Sequence, residues 1–413
     1  MRILILTQYF PPETGAPQNR LFALATRLKE NGIAITVLTA MPNYPQMEIQ
    51  EAYKGKTRCR EEIGGIPVYR SGIFVSKNRS IVSRLRNYFS FVRTAYFAGK
   101  NLEGTFDYIF CESPPLFLGI TARMLCRNKK ARLIFNVSDL WPESAEKLGL
   151  VSNPVFLWMA RKLEESLYRK AILITGQTQG IVKNIQSRFP EKKVFWLPNG
   201  ADLHSGFNPL ISGESWRKIN GFGTSDRLFI YAGIIGHAQG LEVILKAASR
   251  LKERRDIKFV LVGSGPEKEF LLKMKNDQHL DQVIFMDAVG KENMPQVVAG
   301  ADVALVPLRR LDLFKGAIPS KLFENLVMKK PLLLGVEGEA RELFIDDAGA
   351  GLAFIPEDDR DLAAKAVEMA DNPGRNREMG EKGYVYVCKN FDRDSLTDKF
   401  LNYLQESIHN KQH

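Results

Sequence analysis

What this 413-residue chain lacks narrows its possibilities first. Its four cysteines, Cys59, Cys111, Cys126 and Cys388, form no CxxC pair and have no neighbouring histidine. That argues against a zinc module and fits buried thiols in a reducing compartment. Only five histidines occur and none precedes position 200, so no N-terminal histidine can act as a general base. No uncharged apolar run approaches the roughly 18 residues a membrane-spanning helix needs, which leaves only peripheral contact with a bilayer. The apolar start up to Gln8 is too short for a signal-peptide core and reads as a first strand, so a cytoplasmic location is expected. No Asp-x-Asp pair falls in a plausible ligand loop, and no metal or other cofactor is expected.

What is present is a globular composition, 45% hydrophobic and 25% charged without low-complexity tracts, in a chain long enough for two domains. The charge is uneven. Residues 1–200 carry 29 Lys and Arg against 15 Asp and Glu, whereas the remainder carries 29 against 32, so the whole excess of +11 lies in the first half. An anionic partner for that half is the implied reading: a membrane surface, a phosphorylated lipid or a nucleic acid. A basic surface kept for solubility is the plainer one.

Apolar runs at 2–7 and 33–39 flank a helical pattern near 17–31, the strand–helix–strand rhythm of a parallel sheet. Further strands are predicted near 66–71, 107–111, 132–137, 171–175 and 193–197. A turn-rich stretch from Pro198-Asn199-Gly200 to Ser215 reads as a linker, after which strands recur near 227–233, 257–263, 282–286, 302–307, 331–335 and 351–354. The fold class is therefore α/β with two doubly wound domains, 1–200 and 201–391, facing a central cleft. A terminal helix over 392–410 is expected to pack back on the first domain. Ligands in such sheets bind beyond the carboxyl ends of the strands.

The most informative stretch runs from Pro307 to Pro331. A strand ends, a basic glycine-containing loop follows, and Pro319-Ser320 opens a helix carrying Lys321 and Glu324. Proline suits the first helical turn and serine can cap it. Amides at such a start bind phosphate oxygens, Lys321 adds a cation, and Glu324 can accept hydrogen bonds from ribose hydroxyls. A capped surface helix with a solvated Glu324 would leave the same pattern.

The run GAIPSKLFENLVMKKPLL resembles the donor-site signature of retaining GT-B glycosyltransferases of family 4, whose helix opens P-[ST]-K-x-x-E. Other pieces match in order along the whole chain: Tyr9 to Gly15, Pro198 to Asp202, Leu261 to Glu267, and Asp287-Ala288-Val289 with Ala301-Asp302-Val303. Ser138 to Ser144 and Gly236 to Leu241 resemble a bacterial subgroup that adds amino-deoxy sugars such as N-acetylfucosamine in O-antigen or capsule assembly. The resemblance implies two Rossmann-like domains, a UDP-sugar donor held in the C-terminal half and transfer with retention of configuration. It also implies an acceptor carried on polyprenyl diphosphate at the inner face of the plasma membrane. Donor contacts are expected from Gly15, Gly236, His237, Gln239, Gly263, Val289, Lys315, Gly316, Ala317, Ile318 and Ser320, with Lys321 and Glu324 central.

Two departures stand out. The family's first Glu, eight positions before the helix Glu, is Gly316 in this sequence. Its Arg and Lys diphosphate clamp corresponds to Ile234 and Gln239, leaving His237, Arg309, Lys315 and Lys321 as substitutes.

Asp139 ends an apolar strand before Trp141 and Pro142, and is expected either to orient the acceptor hydroxyl or to cap a short helix near 143–148. Residues 77–100 hold six basic residues and no acidic ones, and Arg79, Arg86, Arg93 and Lys100 recur every seven residues. On a helix these form one stripe near Phe89 and Phe97, suited to an anionic membrane surface, with Trp141 as a further membrane or acceptor contact. A crossover helix with snorkelling arginines is the alternative. Rival functions are a sugar-nucleotide 2-epimerase of the same fold and a non-enzymatic basic binding or scaffold protein. No helix-turn-helix, RNA-recognition or zinc signature supports nucleic-acid binding.

Overall fold

The chain divides into two compact units, one made of Met1–Asn199 with the segment from Arg393 onward, the other of Gly200–Asp392. The computed structural model describes residues 1–409 other than Thr14, Pro45, 78–80, Leu150 and Ser205.

The first unit is built on eight strands: β1 (Arg2–Leu6), β2 (Ala34–Ala40), β3 (Arg58–Ile63), β4 (Ile66–Ser71), β5 (Tyr108–Ser113), β6 (Arg132–Val137), β7 (Leu173–Gly176) and β8 (Val194–Trp196). Their spatial order is β3-β4-β2-β1-β5-β6-β7-β8, and only the β3/β4 pair is antiparallel. Central strands such as β1 and β5 are covered on both faces, which is why they read as unbroken apolar runs. The crossovers are α1 (Ala16–Glu30), α2 (Ile81–Lys100), α3 (Leu118–Lys129), α4 (Glu143–Lys147), α5 (Pro154–Lys170) and α6 (Gln179–Arg188).

The edge strand β3 was not expected. Its sequence, RCREEI, is mostly charged and half-exposed along its length, so it carries no apolar signal. The Gly64-Gly65 turn into β4, with both glycines at positive φ, is the mark that identifies the hairpin.

The second unit repeats the architecture with β9 (Arg227–Ala232), β10 (Ile257–Val262), β11 (Val283–Met286), β12 (Val303–Pro307), β13 (Leu332–Gly335) and β14 (Gly351–Ala353). All pairs are parallel, in the order β11-β10-β9-β12-β13-β14. Its helices are α7 (Glu214–Ile219), α8 (Glu242–Arg250), α9 (Lys268–Asp277), α10 (Met294–Gly300), α11 (Lys321–Val327), the single turn α12 (Glu339–Arg341), α13 (Asp359–Asp371) and α14 (Pro373–Asn390).

The chain then returns to the first unit as α15 (Arg393–His409), which packs on α1. Arg27 meets Asp398 at 2.8 Å, and the fully buried Phe400 sits between Phe110 and Phe195, at 6.1 and 5.9 Å between ring centroids. Burying one such ring contributes about 1.5–3 kcal/mol, more than the roughly 0–1 kcal/mol of a partly exposed ion pair.

Candidate active site

Each sheet has a point where the strand order reverses, and there the loops leaving two adjacent strands diverge and open a crevice. In the second unit this point lies between β9 and β12. The loops meeting there are 233–240 and 308–320, the latter leading into α11.

Lys321 opens α11, and its ammonium lies 3.7 Å from the centre of the Tyr231 ring at the end of β9. Gly233 leaves room for it. A Cβ there would stand 2.8 Å from the Lys321 Nζ, and the φ of +142° is one that side chains disfavour. Burial pushes the Lys321 ammonium down to about 7, against the upward pull of Glu324 one turn along the helix. The Tyr231 hydroxyl donates to the Ile234 carbonyl at 2.5 Å, which ties the ring under the lysine to the loop above it. A cation is thus held over an aromatic face in poorly solvated surroundings, half charged near neutrality and ready to gain a full charge beside an anion.

The loop after β9 is fastened to the loop after β10 by hydrogen bonds from Gly233 N to Val262 O and from Ile235 N to Ser264 O, both 2.9 Å. Gly263 permits this closeness, since a Cβ would stand 1.9 Å from the Gly233 carbonyl oxygen. Gly263 therefore supports the loop from behind. Gly236 precedes a single 3-10 turn, His237–Gln239, in which His237 Nε2 lies 3.1 Å from Glu267 Oε1 with its side chain largely exposed. An acid already partners His237, so it is a weaker substitute for the family's clamp than the sequence suggested. Val289 packs on the cluster around Ile230 and Val262, at the end of the crevice next to β11.

The loop after β12 brings two more cations. Arg309 donates its amide to Ala238 O at 2.9 Å, and its Nε is buried without a partner among the described residues. Its nearest acid, Glu242, is 3.8 Å away. Lys315 is exposed and paired with Asp312 at 2.7 Å. Gly316, Ala317 and Ile318 carry the chain from a 3-10 turn into α11, with Ile318 buried. The expected serine cap is absent: Ser320 has helical dihedrals and its side chain caps nothing. The Leu322 and Phe323 amides bond instead to the Pro319 and Ser320 carbonyls, so the first turn is tightened by the backbone.

The reversal point of the first unit lies between β1 and β5 and has a different character. Glu13 is buried and gathers three backbone amides, from Asn43 and Tyr44 at 2.7 and 2.8 Å and from Phe10 at 3.3 Å. Burial still raises its carboxyl pKa. Gly15 follows at the start of α1, where a Cβ would meet the Gln18 amide oxygen at 2.5 Å. Below it, Arg20 pairs with Glu112 at 2.7 Å, Asn136 donates to the other Glu112 oxygen at 2.6 Å, and Thr175 donates to Asn136 at 2.6 Å. Ser138 joins the same carboxylate and also contacts Arg20 at 2.9 Å. Sequence reading missed this network because its members lie far apart in the chain and nothing local marks them.

Asp139, beside Ser138, accepts a hydrogen bond from the Ser144 hydroxyl at 2.7 Å, and burial raises its pKa. This anchors α4 to the end of β6. Trp141 is partly buried against Phe117 and Phe156, at 5.1 and 6.2 Å between centroids. Arg86 and Arg93 are exposed on α2, and the Arg86 guanidinium lies 4.5 Å above the Phe74 ring. Arg79 lies outside the described residues. Among the described residues no helix is long and apolar enough to cross a membrane, and no group of three His, Cys, Asp or Glu could hold a metal ion.

Two doubly wound, mainly parallel sheets in separate units are the architecture of the GT-B class of proteins. The sequence agrees: residues 15–200 match the family described as glycosyl transferase 4-like domain, and residues 212–386 match glycosyl transferases group 1. The chain belongs to the GT-B glycosyltransferases, family 4-like. It is 25% identical to a putative colanic acid biosynthesis glycosyl transferase, WcaI of Escherichia coli K12, over 97% of this chain and 99% of that one. It is 24% identical to the alpha-D-kanosaminyltransferase of Streptomyces kanamyceticus, over 93% and 98%. The solved structure of HepE from Anabaena, in complex with UDP-glucose, superposes with a TM-score of 0.70 at 15% identity, covering 98% of this chain and all (100%) of that one.

Proposed function

We propose that this glycosyltransferase moves an amino-deoxy sugar from a UDP-sugar to a glycan carried on polyprenyl diphosphate, with retention of configuration, in the assembly of a surface polysaccharide. The observation that carries the donor side is Lys321, poised over Tyr231 at the reversal point of the second sheet with its charge partly withheld by burial. A diphosphate arriving there restores that charge, and Arg309 stands on the adjacent loop to share the load. Glu324, one turn further along α11, takes the ribose hydroxyls. Ser320, Lys315 and the 316–318 backbone line the path of the sugar and phosphates, and Val289 lies toward the base.

Catalysis then rests on stabilising the departing diphosphate with fixed cations and amides, with that phosphate accepting the proton of the attacking hydroxyl. Asp139 orients the acceptor from the first unit. The UDP-bound HepE structure supports the choice of nucleotide, and the kanosaminyl transfer named for one relative supports the amino sugar. The exposed Arg86 and Arg93 favour an anionic membrane surface as the place where a lipid-linked acceptor is met.

Isothermal titration with UDP, GDP, ADP and dTDP tests the donor reading. UDP should bind most tightly, and Lys321→Ala should slow transfer about a hundredfold, in line with the roughly 2.7–4 kcal/mol lost with one preorganised donor. Equal binding of all four nucleotides, or full turnover in Lys321→Ala, would overturn it. A sugar-nucleotide epimerase would instead convert the donor alone, which NMR of the donor without acceptor detects.

A further inference from the structure

The first turns of α5 expose three large apolar side chains, Val155 at 64%, Trp158 at 60% and Met159 at 52%. They cannot turn inward. Leu157, Ala160, Glu164 and Leu167 already form the buried face of that helix, and Asn153 fixes its start by accepting from the Phe156 amide at 3.0 Å. On α2, Val82, Phe89 and Phe97 are likewise exposed, spaced so that they share one face with Arg86, Arg93 and Lys100.

One ring joins the two helices. Phe117, at the head of α3, lies 4.8 Å from Phe89 and 5.8 Å from Phe156 between centroids. Phe117 thus links α2 to α5 through Phe89 and Phe156, with Trp141 packed against it, and Val155 adjoins Phe156 in the chain. Scattered exposed apolar residues are ordinary, but three on one face of α5, at i, i+3 and i+4, mark a contact surface.

Charge identifies the contact. Residues 77–100 contain no acid, and Arg93 and Lys100 have no acidic partner among the described residues. On α5 the cations behind the apolar turn are paired, Arg161 with Glu146 and Lys162 with Glu165. Exposed apolar side chains on α5 and α2, with Arg93 and Lys100, unpaired among the described residues, on the same face of α2, match an anionic bilayer, in which tryptophan settles at the headgroup boundary.

We propose that Val155, Trp158 and Met159 form a second membrane-inserting element, acting with the basic α2 stripe to seat the first unit on an anionic lipid surface. This rests on the membrane reading given above and adds a different helix to it. Trp141, packed against Phe156 of α5, stands two residues from Asp139, so a lipid-borne acceptor would arrive next to the loop that Asp139 anchors.

The test uses the full-length protein and vesicles of phosphatidylethanolamine with about one-third phosphatidylglycerol, against vesicles of phosphatidylcholine alone. Co-flotation of wild type with the anionic vesicles is expected. A variant with Val155, Trp158 and Met159 all changed to Ser should partition at least tenfold more weakly while keeping its UDP-induced thermal stabilisation. In the wild type, brominated lipids should quench Trp158 fluorescence, assigned by difference from Trp158→Phe. Unchanged flotation of the triple variant, or no quenching of Trp158, would overturn the inserting role of α5 and leave the α2 reading standing. Failure of the wild type to bind either vesicle would defeat the membrane reading itself. A self-association abolished by the triple change would overturn the lipid assignment in favour of contact between copies.

Discussion

The two reversal points share a topology and differ in chemistry. In the first unit the crevice floor is neutralised in advance: Arg20 is matched by Glu112, and Glu13 is wrapped in backbone amides. In the second, Lys321 is held over a ring with its charge partly suppressed, whereas a buried arginine Nε without a hydrogen-bond partner among the described residues occurs in both, at Arg20 and at Arg309. The basic half of the sequence therefore has the charge-balanced crevice, and the slightly acidic half has the one that calls for an anion. Net charge pointed to an anionic partner for the first half and gave no sign of the cationic crevice in the second. Local compensation decides what a pocket attracts.

Breaking the balance in the first unit should have the largest effect. Glu112→Ala leaves Arg20 charged and unmatched in the interior, and stability should fall by about 3–5 kcal/mol, measured by urea unfolding. Substituting Gly263 in the second unit is expected to cost about 1–3 kcal/mol, because a Cβ forces the Gly233 carbonyl away. Gly263→Ala should also weaken UDP binding, since the displaced loop carries the space for Lys321. Unaltered binding would show that Gly263 supports only the fold.

The suppressed charge makes a distinct pH signature. Between about pH 7 and pH 10 the unfolded chain holds the Lys321 proton and the folded chain does not, so its contribution favours the fold increasingly as pH rises. Lys321→Met has no proton to lose, and it should be more stable than wild type at pH 7 by a margin that shrinks toward pH 10. A margin independent of pH would mean that the lysine keeps its charge in the fold. The smallest effect is expected at Asp139. Asp139→Asn should cost about 1 kcal/mol through its bond to Ser144, and its acceptor role predicts a fall in kcat beyond any loss of folded protein. Normal kcat would confine Asp139 to anchoring α4.

How far these features were legible in the sequence follows from their range. Strands such as β1, β5 and β12, covered on both faces, declare themselves as apolar runs, and α11 was marked by Pro319, Lys321 and Glu324 together. The strand β3 stayed hidden because an exposed edge needs no apolar residues. Ser320 misled because serine suits a cap, yet the backbone closed the turn without it. Tyr231 was hidden differently, since an aromatic inside RLFIYA looks like core, and its use as a platform appears only when α11 is brought against β9. The Arg20–Glu112 pair spans 92 positions, beyond the reach of any local pattern.

The central claim is that the second unit receives its donor on a lysine kept short of charge until the diphosphate arrives. Calorimetric titration of UDP-sugar across pH 6 to 9, in buffers of different ionisation enthalpy, measures the proton taken up on binding. The account predicts uptake that is largest above pH 7, with affinity falling up to about tenfold per pH unit there, and the loss of both in Lys321→Ala. Binding that is flat in pH and takes up no proton, with Lys321→Ala behaving as wild type, would contradict it.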